Sequence, residues 1–559
     1  MGVQIPASRQ EHDRMVSLPA TVLIAAWLAV LSGAGQEATD PGSKTRLERV
    51  FEACSDPATT VDELDTLISD GIDVNATNPD GRMRSFGLTP LMTIAAHAAA
   101  PGLVETLLDA GANLGMRSVD GDRTALMFAA SNEQGIEVIR ALITAGADVE
   151  ARTADGDTPL AMAASFNPDP RCIKLLIAAG ADPRGTNDSG MSVLGAAAFY
   201  GSSPGVIAAL VDAGADVNGR TLPAGTPLAN AVAFNSLEPA VAVALIDAGA
   251  EVNDRGLVTA VLLEACMSQS TNDPGLVETL LRAGADVRAM NSSGWTALTG
   301  AAFNAPGPDV IGILLGAGAE VEHRDAAGWT PLMRAASGNS NVEVVEALIE
   351  AGAKIDATSP DGWTSLAAAA SRNTNAGIVE MLSKAGANVR AIVPIADVRA
   401  MCGGSGVRRS PFAESLIAAE ADAESGGAVR WTPLRIAAFC NPAPAVIHAL
   451  LAAGARIDGK DRLERTALMY AAAQTRFHGV VDALVRAGAD VNGRDLDGRT
   501  PLMIAAANNP DPEVIVALLK AGAIATYSDA GGRTALDHAE DNPKLVDTEA
   551  IRMLRAAAS

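Results

Sequence analysis

A period of about 34 residues runs through most of the chain and constrains its fold more than any other feature. A short motif, Thr followed in most copies by Pro or Ala and then Leu, recurs mostly at 34-residue steps, with longer steps of 68 and 70 that equal or approach two periods. An Ala-Gly-Ala motif repeats with the same period, so two independent signals define one repeating unit. The first motif begins at Thr89, Thr124, Thr158, Thr226, Thr296, Thr330, Thr364, Thr432, Thr466, Thr500 and Thr534.

Each unit reads as two short helices and an irregular connector. In the unit from Gly328 to Lys354, Thr330 is suited to cap a first helix and Pro331 to occupy its first position. Apolar residues spaced by three and four within 344–349 give the second helix one apolar face, and Gly352 is suited to end it. One helix pair cannot bury that face alone, so neighbouring pairs must stack into a solenoid.

The residues of this unit resemble a known repeat family. Gly-Trp-Thr-Pro-Leu-Met-x-Ala-Ala followed by Val-Val-x-x-Leu-Ile-x-Ala-Gly-Ala is similar to the ankyrin repeat, with Met where that family usually has His. Tetratricopeptide repeats share the 34-residue period, but the Trp, Gly and Tyr positions that they favour are absent. The resemblance covers roughly residues 45 to 559. It implies an all-α repeat fold, an ankyrin solenoid of about fifteen helix pairs with β-hairpin or loop fingers.

The chain start carries an export signal. An apolar run from Leu18 to Leu31 follows Arg9 and Arg14 and precedes small residues of the kind that a signal peptidase needs. A cleaved signal is favoured over a retained anchor, because the run is short for a membrane-spanning helix. We therefore expect a signal peptide (1–35), a short linker (36–44), the N-terminal part of the array (45–389), a degenerate repeat (390–428) and the C-terminal part with its cap (429–559).

The degenerate repeat at 390–428 keeps the spacing but loses the motif. Glu420 stands where a helix-ending Gly is expected, and Cys402 opens a glycine-rich stretch where the inter-helix turn should be. Two interpretations stay open for this segment. It is either a hinge at which the array bends or a drifted repeat that still packs.

The charge balance limits the class of partner. The formal net charge is -24, and a surface of that sign repels phosphate backbones and anionic lipid headgroups. We expect a protein partner, no nucleic acid, no membrane contact beyond the N-terminal signal, and a monomer.

No residue pattern indicates catalysis, a cofactor or a metal. The five cysteines and six histidines are scattered singly, and no Gly-rich phosphate loop or nucleophile elbow is present. We expect the cysteines to be small buried residues without a disulfide framework. Single carboxylates also recur one repeat apart, which is too far apart for a cation cage. This second row comprises Asp148, Asp182, Asp216, Glu251, Asp286, Glu320 and Asp490.

The residue directly before each motif Thr is the best candidate for partner binding. In the ankyrin family the connectors form fingers beside the first helices, and that concave side commonly contacts the partner. Every Trp of the chain except Trp27 falls in this register, and Trp and Arg are enriched at binding hot spots. The competing interpretation is that these side chains pack on their own finger and the next. We call these residues the finger row: Trp295, Trp329, Trp363, Trp431, Arg465, Arg499 and Arg533.

Together these features predict a non-catalytic, exported bacterial scaffold or adaptor, periplasmic or secreted, that binds a protein on its concave face. Two alternatives stay open. One is a secreted effector that binds a protein of another organism. The other is an inhibitor or protective chaperone of one exported enzyme.

Overall fold

The computed structural model describes thirteen stretches of the chain. The predicted signal peptide and linker lie outside these stretches, as does most of the predicted degenerate repeat. The described residues form two compact units, which lie within the ranges Met1–Asp286 (unit 1) and Val287–Ser559 (unit 2). The described stretches are 46–69, 71–78, 87–97, 100–119, 121–223, 225–234, 239–253, 260–267, 273–394, 430–473, 478–509, 511–546 and 548–558.

Unit 1 consists of seven helix pairs in its described part. In chain order they are α1 (Arg46–Ser55), α2 (Val61–Ile68), α3 (Pro90–His97), α4 (Pro101–Asp109), α5 (Ala125–Ala130), α6 (Ile136–Thr144), α7 (Pro159–Phe166), α8 (Pro170–Ala178), α9 (Val193–Tyr200), α10 (Pro204–Asp212), α11 (Pro227–Phe234), α12 (Pro239–Asp247), α13 (Val261–Met267) and α14 (Pro274–Arg282).

Unit 2 adds seven helix pairs and one short strand pair among its described residues. They are α15 (Ala297–Asn304), α16 (Asp309–Gly316), α17 (Pro331–Gly338), α18 (Val342–Glu350), α19 (Ser365–Arg372), α20 (Ala376–Lys384), β1 (Val393–Pro394), β2 (Arg430–Trp431), α21 (Pro433–Cys440), α22 (Pro444–Ala452), α23 (Ala467–Ala473), α24 (His478–Arg486), α25 (Pro501–Asn508), α26 (Pro512–Lys520), α27 (Ala535–Glu540) and α28 (Glu549–Ala558). The predicted all-α repeat fold is confirmed.

Local sequence signals set the ends of these helices. The Thr330 hydroxyl accepts the Met333 N–H at 3.3 Å, which caps the start of α17. At the end of α18, Gly352 adopts a φ of 89°, and the Ala353 N–H returns to the Leu348 carbonyl at 3.0 Å. The two repeated motifs are therefore a helix N-cap and a helix C-cap. The same N-cap bond occurs at Thr89, Thr124, Thr158, Ser192, Thr226, Thr296, Thr364, Thr432, Thr500 and Thr534.

The core of each unit lies between helices of neighbouring repeats. Leu332 and Ala335 on α17 are fully buried, and α17 packs against α15, α18 and α19. The small alanines of the first helices allow this close approach. On α18 the predicted apolar face is buried through Val344, Val345 and Leu348. This face stabilises the stack because each CH₂ removed from water contributes roughly 0.8 kcal/mol.

A ladder of buried asparagines joins the inter-helix turns of successive repeats. The Asn373 amide donates to the carbonyls of Ala336 at 3.0 Å and Asn339 at 2.7 Å, while its oxygen accepts the Asn375 N–H at 2.9 Å. These bonds satisfy carbonyls at the end of the preceding first helix that would otherwise be buried without a donor. Equivalent cross-repeat bonds are made by Asn167, Asn339, Asn441, Asn509 and Asn542.

The helix pairs on either side of 395–429 stack directly on each other. α19 packs against α21 and α20 against α22. Asn441 donates to the carbonyls of Ala370 and Asn373, as Asn373 does one repeat earlier. β1 and β2, which lie directly before and directly after 395–429, pair antiparallel. The faces of these pairs therefore cover each other. The segment 390–428 falls mainly outside the described residues, so both interpretations of it, a hinge and a drifted repeat that still packs, stay predictions.

Candidate partner-binding surface

Each finger is a turn closed by one side chain. The Asp325 Oδ1 accepts the N–H groups of Ala327 and Trp329, both at 2.9 Å, and the Asp325 N–H donates to the Trp329 carbonyl at 3.1 Å. The predicted fingers are thus mainly hydrogen-bonded loops rather than extended hairpins. Because the turn ends on Trp329, the finger fixes the backbone of the finger row. Asn187, Asn291, Asp461, Asp495 and Asp529 close their turns in the same way.

The finger row is only partly accessible. Trp295, Trp329, Arg499 and Arg533 are partly exposed. The remaining three are buried, with relative exposures of 8 % for Trp363, 0 % for Trp431 and 3 % for Arg465. The prediction of an exposed row is therefore wrong for these three.

Packing across repeats explains the burial of Trp431. Its ring centroid lies 5.6 Å from that of Phe439 on its own first helix and 4.8 Å from that of Tyr470 on the next one. Trp363 likewise lies against Trp329, at a centroid distance of 5.6 Å. These rings support the finger row from within the stack, as the packing interpretation predicts, and partner binding by the accessible residues stays a prediction.

Arg334 joins the two accessible tryptophans of the finger row. Its guanidinium carbon lies 4.9 Å from the Trp295 ring centroid and 4.7 Å from that of Trp329. Its Nε donates to the Asp325 Oδ2 at 2.7 Å, so one cation is held by two rings and by the carboxylate that closes the finger. We call Trp295, Arg334 and Trp329 the Trp-Arg-Trp cluster. It is an ordered surface that offers two aromatic rings and a cation.

Arg334 was not predicted from the sequence, although it lies nine residues after Asp325, the residue that closes its finger. The same spacing brings the Tyr470 hydroxyl to the Asp461 Oδ2 at 2.5 Å and the His538 Nε2 to the Asp529 Oδ2 at 2.8 Å. A polar residue on the first turn of the first helix therefore pairs with the carboxylate of its own finger. Burial raises the pKa of Tyr470 well above its usual value, and the negative charge of Asp461 adds to that rise. This phenol therefore stays a hydrogen-bond donor.

The arginine half of the row is organised around Asp495. The Nε atoms of Arg465 and Arg499 lie 3.8 and 3.6 Å from the Asp495 Oδ2. Ile504 stands where the neighbouring repeat has Tyr470, so no donor from that helix reaches this carboxylate. Burial raises the pKa of Asp495, and the N–H and guanidinium of Arg499 oppose that rise. Arg465 therefore lies near Asp495 in the interior, whereas Arg499 also forms an ion pair with Asp497 at the surface.

Comparison with protein families decides the identity of the repeat. A family model for ankyrin repeats, built of three copies, matches the chain in windows that cover well over half of its length: 51–153, 126–221, 160–256, 262–359, 300–392, 407–495 and 472–557. The chain belongs to the ankyrin-repeat family. Ankyrin repeats are scaffolds for protein–protein interaction, which gives the finger row its functional setting. No curated protein matches the chain.

The carboxylates of the second row lie at the start of the ankyrin connectors. The Asp216 Oδ1 accepts the Asn218 N–H at 3.0 Å, and Asn218 then reaches the next repeat. There its amide donates to the Gly249 carbonyl at 3.3 Å and its oxygen accepts the Glu251 N–H at 2.8 Å. The described residues contain no group of three or more side chains placed to hold a metal ion. Asp216 thus holds the backbone of Asn218, and Asn218 clamps one ankyrin repeat to the next.

The cysteines of this ankyrin chain divide into two kinds. Cys54, Cys172 and Cys266 are buried, as expected, and form no disulfide among the described residues. Burial raises their pKa values to about 12, about 11 and about 12, so these thiols stay protonated at neutral pH. Cys440 is disulfide-bonded, which makes the expectation of buried, unpaired cysteines wrong at this position. Cys402 lies outside the described residues.

Two further findings concern a membrane-spanning helix and a depression in unit 1. Among the described residues, no helix combines the length and apolar character needed to cross a membrane. A shallow depression of about 660 Å³ lies in unit 1, where it is lined by Ile246, Gly249–Asn253 and Ala283. Asn253, one of the lining residues, is already bonded to the Gly284 carbonyl and the Asp286 N–H.

Proposed function

We propose that this ankyrin-repeat chain is an exported, non-catalytic scaffold that binds a protein partner on the finger-bearing face of unit 2. The Trp-Arg-Trp cluster is the centre of that site. Arg499 and Arg533 extend it along the finger row, and Trp363 supports Trp329 from within the stack.

The cluster carries this proposal. Trp and Arg supply most of the large energetic contributions at protein interfaces, typically about 2 kcal/mol or more for one hot-spot residue. In the free protein, Trp295 and Trp329 are already ordered by Arg334, and Arg334 by Asp325. A partner therefore meets a preformed surface and loses less side-chain entropy on binding.

Export is supported by the apolar run from Leu18 to Leu31, which follows Arg9 and Arg14 and precedes the small residues Ser32 and Ala34. Fractionation of a culture that expresses the full chain tests this part. Recovery of a shortened chain from the periplasm or the medium supports export. A full-length chain in the cytoplasm overturns it.

Capture of the partner tests the site itself. The array of residues 36–559 is used as bait in native extracts, beside a double variant with Trp295→Ala and Trp329→Ala. Val119→Ala serves as the control, because Val119 is a 71 % exposed apolar side chain in unit 1. We expect the parent and the control to retain the same protein and the double variant to lose it while keeping the helical circular dichroism of the parent. Equal capture by all three forms overturns the assignment of the site.

A further inference from the structure

Unit 1 carries a second aromatic surface, at the ends of its first helices rather than on its fingers. The ring centroids of Phe166 and Tyr200 lie 5.1 Å apart, those of Tyr200 and Phe199 4.9 Å, and those of Phe199 and Phe234 5.0 Å. These four residues close the helices α7, α9 and α11 of three successive repeats. We call them the aromatic row.

The aromatic row is not needed to fill the core. Leu160, Leu194 and Leu228 on the same helices are almost completely buried, whereas Phe166 and Phe234 are each 37 % exposed. Phe199 and Tyr200 are partly exposed. A contiguous exposed aromatic patch on a water-soluble surface indicates a binding site more often than a packing need.

Two finger carboxylates, those of Asp157 and Asp155, are near enough to Tyr200 to act on its pKa. Asp157 is held by the Asn187 amide at 2.9 Å, and Asp155 is exposed. The Asp155 carboxylate forms no hydrogen bond or ion pair within the described part of unit 1. Burial raises the pKa of Tyr200, and the charges of Asp157 and Asp155 add to that rise, against an opposing contribution from Arg123. The phenol end of the row is thus in a negative potential.

Two nearby arginines are already engaged. Arg123 lies over the Phe128 ring, with its guanidinium carbon 6.0 Å from the centroid. Arg152 pairs with Asp188 at 3.0 Å and donates to the Thr186 carbonyl. Asp155 is therefore the carboxylate left to receive a cation from outside.

We propose that the aromatic row binds a basic, extended segment of a partner protein, with arginine or lysine side chains over the exposed rings and one cation on Asp155. Aromatic faces attract cations, and the aliphatic stems of arginine and lysine cover apolar surface. The row spans at most about 15 Å, the length of about four residues of extended chain. The net charge of -24 favours the approach of such a segment.

This surface is separate from the Trp-Arg-Trp cluster of unit 2. It is tested on the full chain by fluorescence anisotropy with a short fluorescein-labelled peptide of alternating arginine and alanine. A matched peptide carries citrulline, which has the shape of arginine without its charge, in place of each arginine. We expect the arginine peptide to bind and the citrulline peptide to bind at least about ten-fold more weakly.

Protein variants localise the binding. Asp155→Asn is expected to weaken the arginine peptide several-fold without loss of fold, because its carboxylate has no partner to lose. Asp361→Asn is the matched control, since Asp361 is exposed at the same finger position in unit 2, three residues before a motif Thr. The control removes the same charge but leaves the aromatic row untouched, so binding should equal that of the parent. Phe166→Ser with Phe234→Ser should weaken binding about ten-fold.

Three results overturn the proposal. The first is no binding of the arginine peptide to the parent. The second is an equal loss in Asp155→Asn and Asp361→Asn, which indicates general attraction to an acidic protein. The third is equal affinity for the arginine and citrulline peptides, which indicates a purely apolar site. The variant with Trp295→Ala and Trp329→Ala should bind the arginine peptide like the parent, which keeps this test independent of the unit 2 site.

Discussion

The Asn441 amide donates to the carbonyl of Asn373, 68 residues earlier, at 2.8 Å. Elsewhere in unit 2 the same bond joins residues one repeat apart, as from Asn373 to Asn339 at 2.7 Å. The buried asparagine ladder therefore continues from one repeat to the next in the stack, whatever length of chain lies between them.

The ladder predicts an energetic difference between two adjacent residues. Asn509 is fully buried and donates to the Ala472 carbonyl of the preceding repeat, whereas Asn508 is partly exposed and donates to Ile504 in its own helix. Asn509→Ala should lower the free energy of unfolding by about 1–3 kcal/mol, because a buried carbonyl loses its donor. Asn508→Ala should change it by less than about 0.5 kcal/mol, the usual effect of surface substitutions. Urea denaturation followed by circular dichroism measures both; equal effects contradict the role of the ladder.

The Trp-Arg-Trp cluster predicts that charge alone cannot replace Arg334. Lysine at this position keeps the charge near Asp325 but lacks the planar group that lies against two rings. Arg334→Lys should lower the free energy of unfolding by about 1–2 kcal/mol and change the tryptophan fluorescence of the native protein. Arg140→Lys, in an exposed pair with Glu137, should change neither quantity. Unaltered fluorescence and stability in Arg334→Lys contradict the described contacts.

Asp529 predicts a pH-dependent contribution to stability. Burial tends to raise its pKa, but the N–H of Arg533, the His538 ring and the N–H of Gly531 together hold it below the usual value. A carboxyl whose folded pKa is depressed stabilises the protein above its unfolded pKa of about 3.9, and this stabilisation is lost as the pH falls through the folded pKa.

Asp529→Asn isolates this contribution. Asparagine occupies the equivalent position 291 and closes its finger through the same oxygen, so the turn should survive the change. The variant should be less stable than the parent by about 1 kcal/mol at neutral pH. The difference should shrink towards zero on acidification below the folded pKa. Thermal unfolding across a pH series measures it, and a constant difference contradicts the account.

The cysteines predict a labelling order. Cys54, Cys172 and Cys266 should resist iodoacetamide in the native protein at neutral pH, because they are buried and their raised pKa values leave almost no thiolate. They should be labelled once the chain is unfolded without reductant, whereas Cys440 should be labelled only after reduction. Peptide mass spectrometry distinguishes these residues. Labelling of Cys440 before reduction contradicts the disulfide.

Helix ends could be predicted from the sequence because their causes are local. Thr330 caps the helix that begins one residue later, and Gly352 ends a helix within its own turn. Burial of finger-row residues could not be predicted, because it depends on side chains of other repeats. Trp431 is covered in part by Tyr470 of the next repeat, while Trp329 remains partly accessible.

The doubled steps between motif Thr residues also did not predict which repeats are neighbours in the stack. The step from Thr158 to Thr226 contains a stacked pair that begins after Ser192. The step from Thr364 to Thr432 has the same length, yet the pairs at its two ends stack on each other. Residue spacing fixes the number of residues between two repeats, and only cross-repeat contacts such as that of Asn441 with Asn373 fix which repeats are neighbours.

The most direct test of the central claim is hydrogen–deuterium exchange of the array with and without the protein that it captures. Partner binding on the Trp-Arg-Trp cluster should slow exchange in the fingers at 291–296 and 325–330 and in the first turn of α17. Protection confined to other repeats, with these fingers unchanged, would contradict the proposed site.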